Sequence, residues 1–181
     1  KTDNAPIAPI TMPSRPVMVR ASRFPCRTCS TARRTLAFSK KKAIDHYLRA
    51  WRIAEKYNDE NFTVLLGMEL RFYATVNDYI IYGVTEDMLY ELPFLLSVYI
   101  KRASKLLREK GCLFIQAHPF RKYITRANPE YLDGVEVFNA KADKEANDNS
   151  LKWAEEINAK IKTSGSDCHR ETGVGLGGII T

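Results

Sequence analysis

The chain has 181 residues, 45% of them hydrophobic and 27% charged, with a formal net charge of +7. That length suits one sizeable core and is short for two. No run of about 18 apolar residues is present, which excludes a simple transmembrane helix, and no secretory signal is visible at the start, so a cytoplasmic location is expected.

The positive charge is not spread evenly. From Asn4 to Ile44 there is no acidic residue, while Arg15, Arg20, Arg23, Arg27, Arg33, Arg34 and Lys40 to Lys42 supply nine positive charges, more than the whole excess. This stretch also holds Pro6, Pro9, Pro13, Pro16 and Pro25 and lacks a sustained period, so residues 1–42 read as an atypical basic, Pro/Arg-rich segment, disordered on composition. A solvated tail is the plain reading, and a nucleic-acid-binding arm the functional one. Phe24 and Phe38 are its only aromatics, which ranks the arm below other readings. Cys26-x-x-Cys29 has the spacing of half a zinc site, but no second Cys/His pair follows at finger spacing. Cys112 and Cys168 complete the cysteines without a disulfide framework.

From residue 43 to 181 the texture is that of one folded domain. Ile44, Tyr47, Leu48, Trp51 and Ala54 recur at helical spacing, leaving His46 on the surface. Phe62 to Leu66 reads as a buried strand running into Gly67-Met68-Glu69, and Tyr79 to Val84 as a second. Leu96, Tyr99, Ile100, Ala103, Leu106 and Leu107 mark a helix that Gly111 ends. Cys112 to Ile115 is a strand that delivers Gln116-Ala117-His118-Pro119-Phe120-Arg121, and Gly134 to Phe138 one that ends at Asn139. Asp143 to Lys160 reads as a helix with Leu151, Ala154, Ile157 and Ile161 inward. Ile161 to Ser164 is a short strand before Asp167-Cys168-His169, and a glycine-rich tail follows.

Strands alternating with helices imply parallel strands joined by crossovers, and such folds gather polar groups at the carboxyl ends of the strands. Glu69, His118, Asn139, Asp167 and His169 fall there. Two imidazoles and two carboxylates form a mixed nitrogen and oxygen set suited to Zn²⁺, Mn²⁺ or Fe²⁺. Asp167 and His169, two apart, would share one side of an extended segment. Glu69 has two oxygens with which to bridge metals. Arg121 is placed to hold a phosphate oxygen, as a catalytic and substrate-binding cation. Metal there would acidify water for attack on phosphorus. Taken singly, each residue is as readily a surface carboxylate, a turn cap or an exposed histidine.

Four pieces carry a resemblance: Leu66-Gly67-Met68-Glu69-Leu70-Arg71-Phe72, Ala117-His118-Pro119-Phe120-Arg121, Asp133-Gly134-Val135-Glu136-Val137-Phe138-Asn139 and Ser164-Gly165-Ser166-Asp167-Cys168-His169. In this order they resemble the PHP (polymerase and histidinol phosphatase) family of metal-dependent phosphoesterases over roughly residues 43 to 178. The resemblance implies a distorted seven-stranded, TIM-like β/α barrel with two or three metals at its mouth. It makes Glu69, His118, Asp167 and His169 metal ligands, with Asn139 beside the substrate. The implied activity is phosphoester hydrolysis. Its partner would be a phosphorylated small molecule, ahead of nucleic acid, with no membrane.

The chain departs from that pattern. The family's opening H-x-H strand and its T-D-H strand end are absent; Thr35 to Ser39 reads as the strand before the second, yet Lys40-Lys41-Lys42 stands where Asp-His would come. Residues 4 to 39 are therefore expected to be frame-shifted in part, and the barrel incomplete at its first strands and at its C-terminal end. The alternative function is an inactive PHP-like domain serving as a binding module.

Overall fold

The structure is a computed structural model, and it describes residues 16–20, 36–72, 75–91 and 99–179, with side chains from residue 41 onward. Cys26, Cys29, Leu96 and most of the segment read as frame-shifted lie outside the described residues. Among the described residues six strands form one sheet in sequence order: β1 (Pro16–Arg20), β2 (Thr63–Arg71), β3 (Asp78–Tyr82), β4 (Leu113–Gln116), β5 (Gly134–Asn139) and β6 (Ile161–Gly165). The sheet curls into part of a barrel in an α/β arrangement with helices α1 (Leu36–Ala54), α2 (Glu86–Glu91), α3 (Ile100–Glu109) and α4 (Lys144–Glu156). Among the described residues no helix is long and apolar enough to cross a membrane.

Not all strands are parallel, as alternation with helices suggested. β1 pairs parallel with β2, and β4, β5 and β6 are parallel, but β3 runs antiparallel to both β2 and β4. The link from Arg71 to Asp78 is too short for a crossover, which needs a dozen residues or more, so the chain turns back as a hairpin. This reversal puts the start of β3 at the end of the sheet where β2 and β4 finish. Two further expectations change near the beginning. Pro16–Arg20, inside the stretch read as an arm, is a strand, and Leu36 to Ser39, read as a strand, lies in α1. Glu69 lies within β2, which is longer than its apolar start indicated.

Strand alternation sorts the sheet into two faces. Leu66, Met68 and Leu70 of β2, Tyr79 and Ile81 of β3, and Phe114 of β4 pack under Ile44, Tyr47 and Leu48 of α1, Leu89 of α2, and Ala103 and Leu107 of α3. Tyr79 stacks on Phe114 with ring centroids 4.8 Å apart. Ile80, Ile115 and Ala117 form a smaller cluster on the other face.

Helix α3 ends as its sequence requires. Gly111 takes φ +79, which costs a glycine little, while Cys112 N–H reaches Leu107 O at 2.9 Å and Gly111 N–H reaches Arg108 O at 2.9 Å. In α4 the buried residues are Ala146, Ser150, Trp153 and Ala154, whereas Leu151, expected inward, is exposed. Trp153 meets Phe120 edge-on at 6.4 Å, so the loop carrying His118 rests on α4. Gly134 lies so close to β6 that a Cβ would stand 2.2 Å from Ile161 O, which draws β5 and β6 together beneath the site.

Candidate functional site

Glu69 and Asp78 share the face of Ile80 and Ile115: Glu69 pairs with Ile80, and Asp78 with Arg71, in the β2–β3 register. Alternation along β4 would send His118 to the opposite face, with Phe114 and Gln116. It does not go there, because its backbone leaves the strand at φ +30. For a residue other than glycine this left-handed value is strained, by roughly 1–3 kcal/mol. The break turns the ring toward the two carboxylates. His118 Nε2 lies 3.8 Å from Glu69 Oε1 and 3.6 Å from Asp78 Oδ2.

All three residues are buried, His118 being 2% exposed. Neither ring nitrogen of His118 has a hydrogen-bond partner. Buried polar atoms are almost always paired, so two orphans on one ring between two carboxylates call for an explanation. Glu69, Asp78 and His118 each offer one ligand atom, all within 4.8 Å of one another. One imidazole and two carboxylates fit the donor set of a catalytic divalent-metal site. Bringing these atoms to bonding distance asks for shifts of only a few tenths of an ångström to about 1 Å.

The strain at His118 has a visible support. Glu136, buried on β5, accepts the His118 backbone N–H at 2.9 Å and Asn139 Nδ2 at 3.1 Å. The following loop is tied down by two buried amides. Gln116 donates to Thr125 O at 2.6 Å and accepts Ala127 N–H at 2.9 Å, while Asn77 Oδ1 accepts Thr125 N–H at 2.9 Å. Arg71 holds Asp78 with both carboxylate oxygens at 2.6 Å, and that contact raises the Arg71 guanidinium above its ordinary value.

The remaining residues of interest form a second group beside the first. Asp167, buried and at φ +45, accepts Arg121 Nη1 at 3.1 Å and lies 3.5 Å from Asn139 Nδ2. That backbone is not extended, yet the two side chains still meet: His169 Nδ1 lies 3.4 Å from Asp167 Oδ1, with the Asp167 side chain 1% exposed and that of His169 50%. His169 Nδ1 is 2.8 Å from Asp167 O and 2.6 Å from Lys141 Nζ. Among the described residues no group of three that includes Asp167 or His169 brings ligand atoms within 4.8 Å. Glu69 and His118 are thus brought together, with Asp78 as third member, while Asp167, His169, Asn139 and Arg121 make a neighbouring polar network. His46 is exposed on α1.

No family model matches the chain, and no curated protein does. Among solved structures, a two-domain protein from Bacteroides vulgatus containing a predicted PHP-like metal-dependent phosphoesterase is similar at 17% identity and a TM-score of 0.49. The similarity covers 69% of this chain and 37% of that one.

Sequence reasoning missed Asp78, Glu136 and Lys141. Asp78 follows Asn77 at the entry to a strand, where an acid reads as a turn residue. It becomes a site residue only because β3 runs backward. Glu136 sits inside a quoted motif but has no neighbour in sequence that marks it as the acceptor for His118.

Proposed function

We propose that this chain hydrolyses a phosphoester with the help of a divalent metal held by Glu69, Asp78 and His118, on a partial barrel of PHP type. The observation that carries the reading is the buried His118 ring, with both nitrogens unpaired, set between two carboxylates. When bound, the ion supplies a Lewis acid that polarises a phosphoryl oxygen and acidifies water.

The chain's own residues supply the rest. Arg71 neutralises part of the negative charge at Asp78, so the group keeps an excess suited to one dication rather than an uncompensated pair of buried carboxylates. Glu136 and the Gln116 and Asn77 amides hold the His118 loop, so little reorganisation is needed on binding. Arg121, partly exposed and anchored on Asp167, presents its remaining N–H groups to an anionic oxygen.

The test is hydrolysis of p-nitrophenyl phosphate by the chelated protein before and after Mn²⁺ or Zn²⁺ is restored. The reading expects activity that returns with metal and stays absent in Asp78→Asn. Metal-independent turnover, or full turnover in that variant, would overturn it.

A further inference from the structure

The loop that leaves His118 carries one residue whose conformation burial does not explain. Arg121 N–H reaches His118 O at 3.0 Å and Ile124 N–H reaches Arg121 O at 2.9 Å, so the chain makes two successive reverse turns, and Tyr123 stands at the third position of the second. It takes φ +71. That value suits glycine or asparagine, and for a bulky aromatic residue it is an outlier. The ring gains no burial from it, because Tyr123 is 77% exposed. A lone exposed tyrosine is ordinary, but strain of this kind persists only where the surroundings enforce it, and it gathers at ligand sites.

The surroundings enforce it from both ends of the loop. Glu136 accepts the His118 N–H before it, while Asn77 and Gln116 bind the backbone of Thr125 and Ala127 after it. The ring is thus held in place before any partner arrives, and a planar group stacking on it orders little of the protein. Its neighbours are cations: from Phe120 to Ala127 the chain holds Arg121, Lys122 and Arg126 and no acid. Lys122 Nζ sits over the Tyr123 ring, 5.1 Å from its centroid, and Arg126 lies over Phe120 at 5.3 Å. Arg121, whose guanidinium is anchored on Asp167, is two residues from Tyr123, so their Cα atoms are within about 7 Å of each other.

We propose that Tyr123 is a stacking platform for the base of a mononucleotide whose phosphate meets Arg121, so that the substrate is a nucleoside monophosphate. A phosphate joined to a planar ring through one sugar matches a guanidinium and an exposed ring two residues apart. One exposed ring accepts one base, whereas a nucleic-acid strand is held on successive aromatic platforms, and Phe120 is covered by Arg126 and packed on Trp153. The inference rests on the phosphoesterase reading for the phosphate, but its own test does not use turnover.

Calorimetry on the Mn²⁺-loaded chain with the phosphonate analogues of adenosine 5′-monophosphate and of ribose 5-phosphate, which carry carbon in place of the ester oxygen and resist hydrolysis, isolates the base. The adenosine compound should bind wild type about tenfold more tightly, the contribution of stacking one base. Tyr123→Ala and Tyr123→Gly should lose that advantage while the ribose compound stays within about twofold of wild type, and Tyr123→Phe should keep it. Tyr123→Gly should melt no lower than wild type, because glycine accepts the left-handed backbone. A fall of about 4 °C or more would make the ring a structural residue and overturn the inference. Equal binding of the two compounds by wild type, or an undiminished advantage in Tyr123→Ala, would overturn it too. So would a 5′-phosphorylated oligoadenylate binding more than about tenfold more tightly than the adenosine compound, which would assign the loop to a strand. Each of these results leaves metal-dependent hydrolysis of p-nitrophenyl phosphate standing; no binding of either compound together with no such hydrolysis would overturn both readings.

Discussion

Glu136→Ala is the most informative single change, because Glu136 links the strained His118 backbone to the Asp167 network. The carboxylate accepts the His118 N–H and an Asn139 amide hydrogen, both donors being buried. Truncation leaves the His118 N–H unpaired and Asn139 Nδ2 with its long contact to Asp167 Oδ2 at 3.5 Å, at about 1–3 kcal/mol for each bond lost, less what is recovered because a buried carboxylate no longer needs solvation. A net loss of about 3 kcal/mol is expected. At roughly 2–4 °C per kcal/mol for a domain of this size, the melting temperature should fall by about 6–12 °C. Both donors meet the same oxygen, Oε2, so Glu136→Gln with its amide oxygen in that place keeps both bonds and should lose much less than alanine. The alanine variant should also bind Mn²⁺ roughly tenfold more weakly, as expected when the group orienting a ligand is altered. Urea unfolding and equilibrium dialysis measure the two effects. An alanine variant within about 0.5 kcal/mol of wild type, the range of an ordinary surface substitution, would refute the role assigned to Glu136.

Other outcomes follow from the same geometry. Two like charges within 4.8 Å repel by about 3 kcal/mol at an effective dielectric of 20, an effect Arg71 offsets in part, so Glu69→Gln should stabilise the chelated protein by about 1–2 kcal/mol. It should also abolish the rise in melting temperature that Mn²⁺ gives the wild type; a lower melting temperature in chelator would contradict this. Gly134→Ala drives a Cβ against the Ile161 carbonyl and should cost about 3 kcal/mol by urea unfolding, with an innocuous alanine counting against the β5–β6 packing. Burial raises the Cys112 thiol pKa, so its thiolate fraction at pH 8 is below that of an ordinary cysteine. Peptide mapping after brief iodoacetamide treatment should find Cys168 modified well before Cys112, and equal labelling would refute the burial.

Much of the architecture was legible because the apolar runs are short and well punctuated. Phe114-Ile115, Val135 and the stretch from Ile161 end at Pro119, Asn139 and Gly165, and strands form there. What failed to show depended on chain direction or on single dihedral angles. The hairpin between β2 and β3 follows from the length of its connection, yet the residues in it read equally well as the start of a crossover. Asp78 stays hidden until that direction is known. At His118 alternation predicts the wrong face, and only the φ +30 break corrects it. In α4 a leucine two residues before a tryptophan looked like the buried partner, and volume decided otherwise: Trp153 fills the space against Phe120 and leaves Leu151 in solvent.

The most direct measurement is an anomalous difference map from crystals grown with Mn²⁺. The account predicts a peak within bonding distance of His118 Nε2 and of carboxylate oxygens from Glu69 and Asp78. The absence of a peak between those three residues, or a peak bound instead by Asp167 and His169, would contradict it.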